Sequence, residues 1–204
     1  MASKKEILKD VPEKNLHYKD TTSLKWKGDL IDFFKDKKTK SALEIGTHHG
    51  ITAKMLSHVF KGVDTIEVNP KRFNIAKQNC ESRDNINLIE GNAYTEKAYA
   101  QTLYGPKYNA VIIDCIHTHQ HVLKDIKRAL NYGREGKPIY LIFDDYGHPE
   151  APGVHSAVNK AISIHPNLTL EEYIGEGVGF QVERKNGTKF TLIAREGVIL
   201  KYIK

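Results

Sequence analysis

The sequence predicts an α/β protein with a doubly wound, mostly parallel sheet that ends in antiparallel strands. Two observations carry this. From residue 41 to residue 165, short β-branched runs alternate with stretches of helical period, the pattern of strand–helix–strand units. Beyond residue 165 the rhythm changes to strand-like runs with short connectors, as expected for an antiparallel edge on a parallel sheet. The expected plan is a single domain over residues 1–204. It comprises a helical lid segment (1–40), a ligand-binding core (41–165) and closing antiparallel strands (166–204).

The elements follow in order. Gly28–Lys35 has an apolar helical face of Leu30, Ile31, Phe33 and Phe34. A strand at Ser41–Ile45 leads through a glycine-bearing turn to a helix over Ile51–Phe60. The second strand, Val63–Val68, precedes Asn69-Pro70, and proline suits the first position of a helix running to Asn79. Ile86–Glu90 is the third strand, and Tyr94–Leu103 is expected to be helical. The fourth strand, Ala110–Ile113, ends at Asp114 and precedes a helix over Val122–Leu130. The fifth, Ile139–Phe143, ends at Asp144-Asp145 and precedes a helix over His155–Ile164. Leu170–Ile174, Gly179–Arg184 and Lys189–Arg195 are expected as three closing strands. Asn186-Gly187 marks a hairpin turn, because both residues tolerate positive φ.

Composition narrows the class. The chain is 40% hydrophobic and 27% charged, a globular balance rather than a disordered one. No apolar run reaches the roughly 18 residues of a membrane span. The opening Met1-Ala2-Ser3-Lys4-Lys5-Glu6 lacks an apolar signal core, and Cys80 and Cys115 make neither a metal spacing nor a disulfide framework. A cytoplasmic setting is expected. The net charge of +6 is concentrated at the front, where residues 1–40 hold eleven Lys against seven Asp or Glu. These lysines alternate with acids and form no aromatic-interleaved stripe, so a solvated face is preferred over a nucleic-acid footprint.

In an open α/β sheet, ligands bind beyond the carboxyl ends of the strands. There the five strands deliver Glu44-Ile45-Gly46-Thr47-His48-His49-Gly50, then Glu67, then Gly91-Asn92-Ala93, then Asp114 and His117, then Asp144-Asp145-Tyr146. Gly46 and Gly50 would let backbone pass close to a ligand. A carboxylate at Glu67 can accept from both hydroxyls of a ribose, or be an ordinary strand-end acid. Asp114, Asp144 and Asp145 at adjacent strand ends would repel one another unless a cation lay between them. Mg²⁺ is the first choice for such oxygens, with Mn²⁺ or Ca²⁺ behind it. Either acid of the Asp144-Asp145 pair could instead cap a helix or loop. His117, three residues after Asp114, titrates near neutrality and could take a proton from a hydroxyl, or serve only as a structural hydrogen-bonding group. A zinc pair of His117 and His121 on one helix is a weaker alternative.

The first turn resembles the E-x-G-x-x-x-G signature of class I S-adenosylmethionine-dependent methyltransferases. The second half, with Asp114-Cys115-Ile116-His117, His119-x-His121-Val122-Leu123-Lys124-Asp125, Asp144-Asp145-Tyr146 and Gly153-Val154-His155-Ser156-Ala157-Val158, is similar to metal-dependent O-methyltransferases. The nearest groups are the macrocin O-methyltransferase-like sugar enzymes and, more distantly, the catechol O-methyltransferase type. The resemblance spans residues 41–165 and implies a Rossmann-like seven-stranded sheet. It implies that Glu44, Gly46, Thr47 and Gly50 surround the amino-acid end of S-adenosylmethionine, that Glu67 holds the ribose, and that Asn92 and Ala93 lie near the adenine. Many members carry Asp where this chain has Asn92. It further implies that Asp114, Asp144 and Asp145 bind the cation, with Asp114 bordering the cofactor as well, and that His117 stands where catechol-type enzymes place a Lys base.

The expected activity is methyl transfer to a hydroxyl of a small molecule, a sugar or a catechol-like vicinal diol. An RNA- or protein-directed methyltransferase, a non-catalytic cofactor-binding module and a nicotinamide dehydrogenase are the alternatives, the last disfavoured by Glu44 where the dinucleotide fingerprint has its first Gly. No membrane partner is expected, and a homo-oligomer is left open. Tyr18, Trp26 and Tyr146 are candidates to line the acceptor site.

Overall fold

The structure, a computed structural model, describes residues 3–10, 22–104, 108–183 and 189–204. The elements are α1 (Lys4–Lys9), α2 (Leu24–Phe34), β1 (Ser41–Ile45), α3 (Ile51–Val59), β2 (Gly62–Glu67), α4 (Pro70–Cys80), β3 (Ile86–Glu90), α5 (Glu96–Tyr99), β4 (Ala110–Ile113), α6 (His119–Asn131), β5 (Pro138–Phe143), α7 (Pro152–Ile164), β6 (Leu168–Glu183) and β7 (Lys189–Ile203). The seven strands lie in the order β3-β2-β1-β4-β5-β7-β6. β1 to β5 pair in parallel, and β7 runs antiparallel to both β5 and β6. The winding direction reverses between β1 and β4. That switch point is where such sheets open a crevice for ligands.

The doubly wound form follows from which strand residues face which way. Leu43, Ile45, Val111, Ile113, Leu141 and Phe143 join Val122, Ile126, Val154 and Val158 of α6 and α7 in one buried cluster. The alternate residues Ala42, Ala110, Ile112 and Ile142 join Trp26, Leu30, Phe34, Met55 and Leu56 of α2 and α3 in the other. Period-2 alternation inside apolar runs thus feeds two cores, one on each face.

Several elements differ from expectation for visible reasons. Among the described residues, the tail contains two long strands rather than three. Register shifts at Leu170/Glu172 and Ile174/Gly177 absorb the irregularity within β6, so the strand continues through it. Asn186 and Gly187 lie outside the described residues. The expected helix over Tyr94–Leu103 shrinks to α5, because nearby amides find other acceptors. Leu103 and Tyr104 donate their N–H groups to the buried Asp64 carboxylate at 3.0 and 2.9 Å, and Tyr94 N–H goes to Asn92 Oδ1 at 2.8 Å. α2 begins earlier than expected, at Leu24, because Ser23 caps it by accepting from Trp26 N–H at 3.0 Å. α1 falls within the segment expected to be helical over 1–40, although no separate helix is delimited there by the sequence pattern. A capping box between Ser3 and Glu6 starts it. Among the described residues, no helix is long and apolar enough to cross a membrane.

Candidate active site

A cleft of about 780 Å³ opens at the carboxyl ends of β1, β2, β4 and β5. Of the residues expected at the cofactor, Gly46, Glu67, Asn92, Ala93 and Asp114 line it, as do His117, Asp144 and Asp145. Glu44, Thr47 and Gly50 are not among its lining residues; they support the wall from behind.

That support is a buried polar chain. Thr65 Oγ1 donates to Glu44 Oε2 at 2.5 Å, and Thr47 Oγ1 lies 2.5 Å from Thr65 Oγ1. Burial pushes the Glu44 carboxyl up to about 8, helped by the negative charges of Asp114 and Glu67. The glycines also serve packing first. Gly46 has φ +105°, and a Cβ there would stand 1.8 Å from the Asp114 carbonyl oxygen. Gly50 has φ +78° as the N-cap of α3, and its Cβ would stand 2.9 Å from Cys80 Sγ. Both let protein segments approach each other, and the shape of the cleft follows from that approach.

Glu67 is held rigidly. Its Oε2 accepts from His48 N–H and its Oε1 from Asn69 N–H, each at 2.8 Å, so the carboxylate is fixed in the cleft wall by two backbone amides. His48 reaches this position at φ +51°, an uncommon conformation for a residue with a side chain. Next to Glu67, Val68 is 64% exposed, and across the cleft Ile116 is 41% exposed. Two apolar side chains left open in one cleft suit a flat, weakly polar ring. The Asn92 side-chain carbonyl accepts from Tyr94 N–H, and a carbonyl has a second lone pair to offer a ligand. Tyr94 is in turn tethered through its hydroxyl, which donates to Asp125 Oδ2 at 3.1 Å and sits 3.2 Å from Cys115 Sγ.

At the other end, His117 stands between two acids. Its Nε2 is 3.4 Å from Asp114 Oδ1 and its Nδ1 is 3.1 Å from Asp145 Oδ2. Its pKa is raised above the ordinary histidine value by the Asp114 hydrogen bond and by the charges of both carboxylates. Asp145 sits at φ +54°, a conformation that Asp tolerates better than most residues. Asp144 is buried, and its Oδ1 has no hydrogen-bond partner among the described residues. Burial, then Asp114 and Asp145, drive its carboxyl well above the usual range. A hard divalent cation fits this donor set in chemistry: Asp144 and Asp145 both have carboxyls raised by burial and by the charge of Asp114, and one Asp144 oxygen is buried without a partner among the described residues. As arranged, however, no three His, Cys, Asp or Glu side chains among the described residues gather into a ligating group. Glycine again sets the geometry. A Cβ on Gly153 would stand 2.2 Å from the His117 carbonyl oxygen, so α7 can start against this loop only with glycine there.

The zinc pair is not formed. α6 begins at His119, which leaves His117 outside the helix, and His121 Nδ1 pairs with Thr118 Oγ1 at 2.7 Å. Trp26 and Tyr146 are buried and do not line the cleft, and Tyr18 lies outside the described residues.

Sequence reasoning missed two charged residues. Lys27, only 1% exposed, reaches from α2 to donate to Thr22 Oγ1 at 2.7 Å and to the Thr22 carbonyl oxygen. Burial lowers its pKa to about 8, opposed by the charges of Asp144, Glu196, Asp114 and Glu44. Glu196 of β7 accepts from Ser23 N–H and Ser23 Oγ, both at 2.6 Å, and lines the cleft together with Thr22 and Ser23. The available signal for Lys27 was its position among Trp26, Leu30 and Ile31 on the apolar face of α2. Nothing in the sequence singled out Glu196.

A seven-stranded sheet in the order β3-β2-β1-β4-β5-β7-β6, with β7 antiparallel and a cleft lined by acids at the strand ends, is a class I methyltransferase fold. The chain belongs to the methyltransferase domain family, whose pattern it matches over residues 43–146. No curated protein matches it in sequence. Among solved structures, it is similar to an O-methyltransferase from Bacillus cereus in complex with S-adenosylhomocysteine (19% identity, 98% of this chain and 90% of that one, TM-score 0.62). It is similar also to an O-methyltransferase from Streptomyces achromogenes involved in tomaymycin synthesis, in complex with S-adenosylmethionine (16% identity, 98% and 89%, TM-score 0.65). An rRNA methylase from Streptococcus thermophilus shares the fold as well (13% identity, 87% and 96%, TM-score 0.57). At these identities the likeness concerns the fold, and the fold alone does not choose the acceptor.

Proposed function

We propose that the protein transfers a methyl group from S-adenosylmethionine to a hydroxyl oxygen of a small molecule, a sugar or a catechol-like vicinal diol, in the cytoplasm. One observation carries this reading: a carboxylate fixed by backbone amides, Glu67, and an imidazole gripped between Asp114 and Asp145 lie in a single cleft. S-adenosylmethionine would supply the methyl group on its sulfonium, and a divalent cation held by Asp114, Asp144 and Asp145 would make a neighbouring hydroxyl more acidic. Glu67 would accept from the ribose hydroxyls. Val68 and Ile116 would flank the adenine, with Asn92 and Ala93 at its edge, and Gly46 would bring the β1 turn alongside. Asp114 and Asp145 orient His117, which in its neutral form takes the proton from the acceptor hydroxyl. Thr22 and Ser23 close one wall, in keeping with a lid role for the segment before β1, and holding nucleophile and methyl in contact would supply much of the acceleration.

The test is transfer of radiolabelled methyl from S-adenosylmethionine to a panel of catechols, sugars, bulk RNA and protein, with Mg²⁺ or with excess chelator. Label entering a small hydroxyl compound, lost with chelator and lowered about a hundredfold in His117→Ala, is the expected result. Label entering only RNA or protein, or full activity in chelator, contradicts the acceptor or the cation respectively.

A further inference from the structure

Lys27 lies where an ordinary apolar residue of α2 would serve packing better. Its neighbours on that helix, Trp26, Leu30 and Ile31, are core residues, and lysine is almost never fully buried unless paired. The surroundings show what balances it. The carboxylates acting on its ammonium are Asp144, Glu196, Asp114 and Glu44, strongest first. Asp144, Asp114 and Glu44 come from the carboxyl ends of β5, β4 and β1, and Glu196 from the middle of β7 just beyond the end of β5, so the amine sits beneath the acidic end of the cleft. Its position is fixed. Nζ donates to both oxygens of Thr22, and Glu196 is pinned by Ser23 and by Glu176 N–H at 2.8 Å. Thr22, Ser23, Asp114, Asp144 and Glu196 all line the cleft.

We propose that Lys27 is a positioning residue for charge: its buried ammonium, held at Thr22 among four acidic side chains, sets how strongly the cleft prefers the sulfonium of the methyl donor over the thioether of the product. This rests on the reading of the cleft as an S-adenosylmethionine site. Donor and product differ by the sulfonium charge, because the methyl group leaves as CH₃⁺ in formal terms and sulfur keeps the bonding pair. Carboxylates alone would hold the sulfonium most tightly before reaction and lose that attraction as its charge is discharged. Ground-state binding of that kind opposes turnover. A fixed cation beneath the acids offsets this excess while leaving the acids in place for the divalent cation and for His117.

The experiment is calorimetric titration of the full chain with S-adenosylmethionine and with S-adenosylhomocysteine at pH 7, in chelator. Wild type, Lys27→Gln, Lys27→Met and Glu196→Gln are compared. Lys27→Gln removes the charge and keeps an N–H donor on a side chain one bond shorter, while Lys27→Met removes the charge at similar length. Both Lys27 variants are expected to raise the ratio of product to donor dissociation constants by about fivefold or more, and Glu196→Gln to lower it. Should Lys27→Met fail to fold, Lys27→Gln and Glu196→Gln carry the test in opposite directions. A ratio unchanged in both Lys27 variants while the two affinities weaken together overturns the proposal and leaves Lys27 a packing residue. Wild-type protein that binds neither molecule overturns the cofactor reading itself, and the proposal with it.

Discussion

Replacing Gly46 with alanine separates two roles that glycine could have at the mouth of the cleft. If it is there to admit a ligand, Gly46→Ala folds normally and only binding suffers. The structure places the obstacle elsewhere. The added Cβ would stand 1.8 Å from the Asp114 carbonyl oxygen and 3.2 Å from Cys115 Cα, at a φ of +105°. Forcing a side chain into left-handed backbone costs roughly 1–2 kcal/mol, and overpacking a tight contact costs roughly 1–3 kcal/mol. Together these suggest about 3 kcal/mol, or a fall in Tm of about 6–12 °C for a chain of this size. The strain falls on the end of β4, so Asp114 and the loop to His117 move with it. Thermal unfolding followed by circular dichroism, without any ligand, reads the cost directly. A ligand-free Tm within about 2 °C of wild type would refute the packing argument and return the glycine to a ligand-clearance role.

Three other substitutions probe the supports of the cleft. Asp64→Ala removes a fully buried carboxylate that accepts from Asn87, Leu103, Tyr104 and Tyr108; urea unfolding should show a loss of about 3–5 kcal/mol, and a loss below about 1 kcal/mol would deny it that role. Glu67→Ala should weaken S-adenosylhomocysteine binding about tenfold to a hundredfold by calorimetry, since it removes the proposed ribose acceptor and frees the amides of His48 and Asn69; unchanged affinity would move the ribose elsewhere. Burial raises the Asp125 carboxyl from 3.8 to about 6, so the folded state holds its proton more tightly than the unfolded chain, and this group's contribution is lost as pH rises from about 4 through 6. Asp125→Asn should therefore gain stability relative to wild type at pH 7.5 and lose that gain near pH 4.5, by at most about 3 kcal/mol; a difference independent of pH would show that Asp125 is not strained by its charge.

The sheet was legible because its signal is local. Ser41–Ile45, Ile86–Glu90 and Ala110–Ile113 run as expected, since each is a short run bounded by polar or turn residues. The residues at strand ends were legible for the same reason. A doubly wound sheet carries whatever follows Ile45, Glu67 and Ile113 to one edge, and it brings His117 between Asp114 and Asp145. What was not legible depends on contacts distant in sequence. The expected helix after Ala93 is cut short because Asp64, some forty residues earlier, attracts the amides of Leu103 and Tyr104. The pairing of Ser23 with Glu196 spans 173 residues, and no local pattern announces it. Lys27 reads as one more basic residue in a lysine-rich opening until α2 turns it beneath Asp144.

The central claim is that one cleft holds the methyl donor with its ribose on Glu67 and its sulfur toward His117. A crystal structure with S-adenosylhomocysteine and Mg²⁺ tests it most directly. The account predicts both ribose hydroxyls on the Glu67 carboxylate, the adenine between Val68 and Ile116, and the sulfur facing the acidic end beside Asp114. A nucleoside lying outside this cleft, or one bound in reverse with its adenine against Asp144 and Asp145, would contradict it.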